Sequence, residues 1–128
     1  MSIAYQSDQG IARLTFDRPA KKNAITAEMY EQFVAGLKQA AGDASVRAVL
    51  VSGAGGTFTA GNDLKDFSNP KFAQPDSPVL SFMQGLAAFD KPVVAAVQGM
   101  AVGIGVTMLL HCDLVYVADD ATFSMPFT

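Results

Sequence analysis

Two spacings of apolar residues alternate along this chain, one typical of strands and one typical of helices. Ile11 to Phe16 has apolar side chains at strand positions and ends at Asp17-Arg18-Pro19, where proline lacks the backbone donor that a sheet needs. After Thr26, apolar residues recur at steps of three and four, which predicts an amphipathic helix that ends near Gly42. The residues on its apolar face are Met29, Phe33, Leu37 and Ala40.

The remainder of the chain repeats this order, so the sequence predicts an α/β fold with βαβ crossovers and a largely parallel sheet. One segment rich in proline, Ser68 to Pro78, is predicted to be a surface loop. The predicted elements are a strand buried on both faces at Val46 to Ser52, a helix capped by Ser77 that runs to Leu86–Phe89, a buried strand at Val93 to Val97, a glycine turn from Gly99 to Gly105 that leads into a helix ending near His111, and a strand at Leu114 to Ala118.

Composition excludes several classes of protein. With 128 residues, half of them apolar and 16% charged, the chain has the size and hydrophobic content of one globular domain and not of a disordered protein. Its net charge is −3 and its basic residues do not cluster, which argues against a nucleic-acid partner. Cys112 and His111 are the single cysteine and the single histidine, so we expect no intramolecular disulfide and no metal site.

The N-terminus and the longest apolar stretch indicate a cytoplasmic protein without a membrane span. MSIAYQSDQG lacks the basic start and apolar core of a secretory signal. The stretch from Val93 to Leu110 is interrupted by Gln98 and several glycines, which favours a buried strand, turn and helix over a membrane-spanning helix.

Two glycine-rich loops each follow a predicted buried strand, at Gly53 to Leu64 and at Gly99 to Gly105. Neither has the pattern of a phosphate-binding P-loop or of a dinucleotide site. Loops at the carboxyl ends of parallel strands can each direct one backbone N–H at a single developing oxyanion. Glycine turns that only allow a helix to pack on a sheet have the same appearance, so both interpretations stay open at this stage.

Four motifs span nearly the whole chain: Asp17-Arg18-Pro19 with Asn23-Ala24, Phe58 to Leu64, Lys91 to Gly105, and Cys112-Asp113. In their order and spacing they resemble the enoyl-CoA hydratase/isomerase (crotonase) superfamily. The resemblance implies a crotonase-like (ClpP/crotonase) spiral of ββα units, with residues 1–128 as the N-terminal portion of a single domain that is incomplete at its C-terminus. It also implies an acyl-CoA thioester as substrate, no bound cofactor because the substrate itself carries coenzyme A, and trimers or hexamers at full length.

The resemblance also assigns residues to a site. The backbone N–H groups of Asn62 and Ile104 would form an oxyanion hole for the thioester carbonyl. Ala24 and Ala60 would line the coenzyme A groove, and Lys22 could reach its phosphates, although lysines in a polar turn are commonly just solvated. The implied substrate-binding residues are Lys22, Ala24, Ala60, Gly61, Asn62, Asp63, Leu64, Gly103 and Ile104.

Residues at the catalytic positions of the family favour an isomerase. The two positions that hold glutamates in hydratases of the family are Thr107 and Phe127 here, and neither can act as a carboxylate base. The chain end from Ala121 to Thr128 is similar to the Δ3,Δ2-enoyl-CoA isomerase branch of peroxisomal type, whose members move a double bond from C3 to C2 with a single carboxylate. That carboxylate is expected beyond Thr128.

Within the chain, Asp63 is the first candidate for an alternative base, but a carboxylate at this position is more commonly a cap for backbone amides. The other polar candidates are not interpreted as bases either. His111 is interpreted as a surface or structural histidine, Cys112 as a buried inert thiol, Asp113 as a carboxylate that satisfies backbone donors before the last strand, and Asp66 as solvated. Two further functions stay open: a non-catalytic acyl-CoA binding or assembly module, and another reaction of the superfamily such as enoyl-CoA hydration. A shortened spiral is also predicted to expose apolar surface and to self-associate.

Overall fold

The computed structural model describes residues 2–66, 70 and 77–125. Strands and short helices alternate over these residues, which confirms the α/β class. The strands are β1 (Ile3–Asp8), β2 (Ile11–Phe16), β3 (Ala48–Gly53), β4 (Val93–Val97), β5 (Met100–Val102), β6 (Leu114–Val117) and β7 (Thr122–Ser124), and the helices are α1 (Ala27–Gly42), α2 (Pro78–Ala88) and α3 (Ile104–Thr107).

The main sheet has the order β1-β2-β3-β4-β6, and every neighbouring pair after β1-β2 is parallel, as predicted. β1 pairs antiparallel with β2 and was missing from the predicted elements. Of its side chains only Ile3 is buried, so the strand carries little apolar signal and is held by its hydrogen bonds to β2. A tight turn at Gln9-Gly10, with φ of 52° and 84°, joins the two strands.

α1 lies where the three- and four-residue spacing predicts it. Its N-terminus is capped by the Thr26 hydroxyl, which accepts a hydrogen bond from the Met29 N–H at 3.1 Å. Phe33 from its buried face stacks on Phe16 of β2 at 5.7 Å and meets Phe82 of α2 edge-on at 4.9 Å. Both helices therefore share one aromatic core with the sheet.

Side chains distant in sequence complete both ends of α1. The Asp66 carboxylate accepts from the Ala27 N–H at 2.6 Å, so the expectation that Asp66 is simply solvated was wrong. At the other end, the Lys91 ammonium donates to the carbonyls of Ala40 and Asp43 at 2.8 and 3.0 Å. The predicted cap of α2 is confirmed, because the Ser77 hydroxyl accepts from the Leu80 N–H.

Two predicted boundaries differ from the structure. The strand predicted at Val46 to Ser52 begins at residue 48, and only its alternate residues Val49 and Val51 are fully buried, so it is buried on one face and only partly covered on the other. The turn predicted at Gly99 to Gly105 contains strand β5, and the helix after it is a single α turn followed by a 3-10 turn at Met108–His111. The proline-rich loop predicted at Ser68 to Pro78 falls mostly outside the described residues.

The structure also has a second, smaller layer of extended backbone. β5 pairs in parallel with β7, and isolated bridges join Thr59 to Ala101 and Ile25 to Asn62. The main-sheet strands β2, β3 and β4 are thus each followed by a short second strand or a bridge before the next helix, as in a repeated ββα unit. This layer brings the segments that follow β3 and β4 together.

β6 forms an open edge of the main sheet, and the side chains of all its residues are exposed. Tyr116 is 65% exposed and Leu114 is 56% exposed. Exposed Phe123 and Met125 follow on the smaller layer. The predicted exposure of apolar surface is therefore confirmed, and self-association stays a prediction.

Candidate active site

The two glycine loops start at the carboxyl ends of neighbouring strands of the main sheet and are hydrogen-bonded to each other. Each follows one of the neighbouring parallel strands β3 and β4. The Phe58 N–H donates to the Gln98 carbonyl at 2.8 Å, and the Thr59 N–H donates to the Met100 carbonyl at 3.1 Å. The Val102 N–H returns to the Thr59 carbonyl at 3.1 Å. The loops therefore form one rigid unit at the carboxyl ends of the strands.

Glycines allow this close approach. Gly61 has φ of +91°, and a Cβ atom there would lie 2.9 Å from the Val102 carbonyl oxygen. At Gly105 a Cβ atom would lie 2.6 Å from Cγ2 of Thr59. These glycines directly adjoin Asn62 and Ile104, so the two loops are in close contact at the residues next to both.

The backbone N–H groups of Asn62 and Ile104 have no hydrogen-bond acceptor among the described residues. For Asn62 the reason is its parallel bridge to Ile25: the Ile25 N–H donates to the Gly61 carbonyl and the Asp63 N–H to the Ile25 carbonyl, so the N–H of Asn62 points away. Ile104 is the first residue of α3, ahead of the first bond within the helix. Gly103, with φ of +59°, makes the sharp entry into this helix.

A network of buried polar side chains holds the backbone of the first glycine loop, Gly53 to Leu64, in place. The Asn23 carboxamide donates to the carbonyls of Ala54, Thr57 and Phe58 at 2.9, 2.7 and 3.3 Å and accepts from the Arg18 N–H at 2.8 Å. The Thr59 hydroxyl donates to the Asn23 carbonyl at 2.6 Å and accepts from the Gly61 N–H at 3.1 Å. Asn23 and Thr59 are the fully buried polar residues of the described core, and together they fix the position of Gly61.

Asp63 acts as a structural anchor. Its carboxylate accepts from Arg18 Nη1 at 2.6 Å and from the N–H groups of Lys65 and Asp66. The Arg18 hydrogen bond, followed by the backbone N–H of Asp66, lowers the pKa of this carboxyl group. A carboxylate held in this way is a weak base, which supports the interpretation of Asp63 as a cap.

Comparison with known proteins decides the family. The enoyl-CoA hydratase/isomerase family model matches residues 6–128. This chain belongs to the enoyl-CoA hydratase/isomerase family. It is 41% identical to enoyl-CoA delta isomerase 2 of Rattus norvegicus over 132 residues, covering 98% of this chain and 34% of that protein. It is 33% identical to a probable enoyl-CoA hydratase of Bacillus subtilis, covering 98% of this chain and 50% of that protein.

Comparison with solved structures relates the fold to the same family. A solved structure of OdaA from Pseudomonas aeruginosa superimposes with a TM-score of 0.93 at 48% identity, covering 98% of this chain and 51% of that one. The crotonase-like fold and the resemblance to the isomerase branch are thereby confirmed. The chain spans between about a third and about half of the length of these relatives.

Two of the segments that carry substrate-binding residues implied by the resemblance, those at Lys22 and at Ala60, are hydrogen-bonded to each other. The Ala60 N–H donates to the Lys22 carbonyl at 3.0 Å, which aligns the segment after Lys22 with the segment after Ala60. The carbonyl of Ala24 accepts from Arg18 Nη1 at 3.1 Å. Leu64, in the same loop as Ala60, is 88% exposed, which is unusual for a large apolar side chain.

Other polar residues have structural environments. Asp113 accepts from the Val93 N–H at 2.7 Å, which confirms its predicted role, and burial followed by the Asp113 charge raises the pKa of the Cys112 thiol to about 11. The Thr107 hydroxyl donates to the Gly103 carbonyl, while Phe127 lies outside the described residues.

In the described ranges, no three His, Cys, Asp or Glu side chains converge as a metal ion would require. None of the described helices has the length and apolar character needed to cross a membrane.

Sequence reasoning missed two partners in this region. The sequence marks Arg18 only as part of a family motif, yet its side chain joins Asp63 and Ala24. No sequence pattern points to Tyr30, although its hydroxyl donates to Oδ1 of Asn62. Arg18 and Asp63 are 45 positions apart in the sequence, and Tyr30 and Asn62 are 32 positions apart. No local sequence pattern therefore predicts either contact.

Proposed function

We propose that this chain carries the oxyanion half of an acyl-CoA isomerase that moves a double bond from C3 to C2. The observation that carries the proposal is the pair of backbone N–H groups, on Asn62 and Ile104, that lack acceptors among the described residues and lie on two loops in backbone contact. A donor pair of this kind stabilises the oxygen of a thioester enolate. The names of the isomerase relatives support the reaction type.

The proposed reaction is a proton shift. A base removes a proton from C2 of a 3-enoyl-CoA, and the electron pair moves into the thioester to give a dienolate whose oxygen accepts from the two N–H groups. The same proton is then returned at C4, which leaves the double bond between C2 and C3 and consumes no water. Because Asp63 is already engaged and Thr107 is not acidic, the base is proposed to lie outside these 128 residues.

The remaining residues of the site are proposed to hold the coenzyme A portion of the substrate. Lys22 is exposed and offers a cation for its phosphates, while Ala24, Ala60 and Gly61 are proposed to line the groove through their backbones. Leu64 is proposed to contact the acyl chain, which would cover its exposed surface. We propose no bound cofactor, and an assembly of three or six copies for the full-length protein.

The first test is a spectrophotometric assay with a 3-enoyl-CoA, combined with calorimetric titration of a 2-enoyl-CoA. We expect the chain to bind the thioester without converting 3-enoyl-CoA, and conversion to appear when the segment that carries the base is present. Absence of binding would overturn the proposed site. Conversion by the 128 residues alone would overturn the assignment of the base to another segment.

A second candidate is a non-catalytic acyl-CoA binding module, and the engaged state of Asp63 favours it. The two candidates differ in one result. A binding module would hold the thioester with equal affinity in a longer chain but would never isomerise it. Hydration, the activity in the name of the Bacillus subtilis relative, would instead show as a 3-hydroxyacyl product.

A further inference from the structure

The side chain of Asn62 is held by a buried tyrosine. Tyr30 comes from α1, and its ring is fully buried edge-on to Phe82 at 5.1 Å. Its hydroxyl donates a hydrogen bond to Oδ1 of Asn62. Burial raises the pKa of the Tyr30 hydroxyl, so the group remains a donor throughout the neutral range.

This contact is not needed to hold the backbone of Asn62. The bonds from Ile25 to Gly61 and from Asp63 to Ile25 fix the peptide units on both sides of it. What Tyr30 adds is a fixed orientation of the Asn62 carboxamide. Without this bond the partly buried asparagine side chain would be free to change its orientation and would lose entropy on binding a ligand.

With Oδ1 occupied, the NH₂ group of Asn62 remains to be satisfied. It has no hydrogen-bond acceptor among the described residues. Asn62 is partly buried, and its NH₂ group is not fully enclosed, because the only fully buried side-chain polar atom without a partner in the described part of the chain is the Tyr5 hydroxyl. The fold thus presents an oriented amide donor on the same residue whose backbone N–H faces the candidate oxyanion site.

We propose that the Asn62 carboxamide is a third hydrogen-bond donor to the oxygen of the bound acyl thioester, and that Tyr30 is its positioning residue. The inference rests on the proposed function and extends it. A neutral amide donor stabilises an oxygen on which negative charge develops, and it gains strength when it is already oriented before the substrate binds.

The experiment measures polarisation of the thioester carbonyl directly. A 2-enoyl-CoA labelled with ¹³C at the thioester carbonyl is bound to the protein, the carbonyl stretch is followed by isotope-edited infrared spectroscopy, and the dissociation constant is measured by calorimetry. The variants are Tyr30→Phe, Asn62→Ala and the double variant. Tyr5→Phe is the matched control, because it removes a buried tyrosine hydroxyl that has no hydrogen-bond partner among the described residues.

We expect the carbonyl stretch to move to lower frequency in the wild-type complex and in Tyr5→Phe. The shift should be smaller in Tyr30→Phe and Asn62→Ala, with binding weakened about three- to tenfold, the range for loss of one hydrogen bond. Adding Tyr30→Phe to Asn62→Ala should change nothing more, because Tyr30 acts through Asn62.

Each result has a distinct meaning. If the Tyr30→Phe complex keeps the wild-type carbonyl frequency and affinity, the inference is overturned and the proposed function is left intact. The same holds if Tyr30→Phe has its full effect when it is added to Asn62→Ala. No binding or no shift in the wild-type protein overturns the proposed function and the inference together. If Tyr30→Phe does not fold by circular dichroism, Asn62→Ala alone decides whether the carboxamide is a donor, since its side chain lies outside the core.

Discussion

Removal of the Asn23 side chain is the perturbation that most directly tests how the site is supported. The side chain is fully buried beneath the first glycine loop and is bonded to four backbone groups. Its backbone has φ of +59°, a left-handed conformation that asparagine tolerates and alanine resists. Asn23→Ala therefore removes hydrogen bonds and introduces backbone strain at once.

The expected magnitude follows from these contacts. Three of the four bonds are 2.9 Å or shorter, and each is worth about 1 kcal/mol net, with more lost where a buried partner is left unsatisfied. The left-handed backbone adds about 1 kcal/mol for alanine. We therefore expect Asn23→Ala to lower the free energy of unfolding by about 4 kcal/mol, and Asn23→Gly, which relieves φ, by about 3 kcal/mol.

The assay is urea unfolding followed by far-ultraviolet circular dichroism, since the chain contains no tryptophan. With a slope of about 1.5 kcal/mol per molar urea, the Asn23→Ala midpoint should fall by more than about 2 M. Gln9→Ala is the control. Gln9 has φ of 52° but an exposed side chain, and glutamine lacks the tolerance of asparagine for this conformation, so the substitution adds no strain and its midpoint should stay close to that of the wild type. An Asn23→Ala protein within about 0.5 kcal/mol of this control would refute the reasoning.

Three further predictions concern charge, thiol reactivity and the sheet edge. The folded-state pKa of Asp63 is lowered, so its stabilising contribution is present above the unfolded carboxyl pKa of about 4 and is lost as pH falls through the folded value. Acid unfolding curves of the wild type and Asp63→Asn should therefore converge at low pH. Curves that stay parallel down to the acid limit would contradict this. The Cys112 thiol, with its pKa raised to about 11, should react with iodoacetamide at pH 8 more than tenfold slower than in urea-unfolded protein, and equal rates would show that the thiol is not protected. Tyr116→Lys should reduce self-association through the open β6 edge, as measured by sedimentation velocity. Lys38→Glu, on the exposed side of α1, is a charge-changing control. Equal oligomer content in Tyr116→Lys and the wild type would place the contact elsewhere.

Local pattern predicted the elements that bury a continuous apolar face. Helix α1, capped by Thr26, and strands β2 and β4 lie at or very near their predicted positions. The physical reason is that spacing of apolar residues and capping are properties of neighbours in sequence, and both act before any distant segment has docked. The family motifs likewise placed Asn62 and Ile104 on two loops, and the contact between those loops supports this placement.

Pairings between distant segments were decided by the tertiary structure alone. β1 exists because β2 supplies its hydrogen bonds, and Asp66 caps α1 because the first loop returns to that end of the helix. The Arg18–Asp63 ion pair and the hydrogen bond from Tyr30 to Asn62 depend on the same return. Such contacts need backbone geometry that only the packed sheet and helices provide, whereas the sequence by itself determines which residues are able to make them.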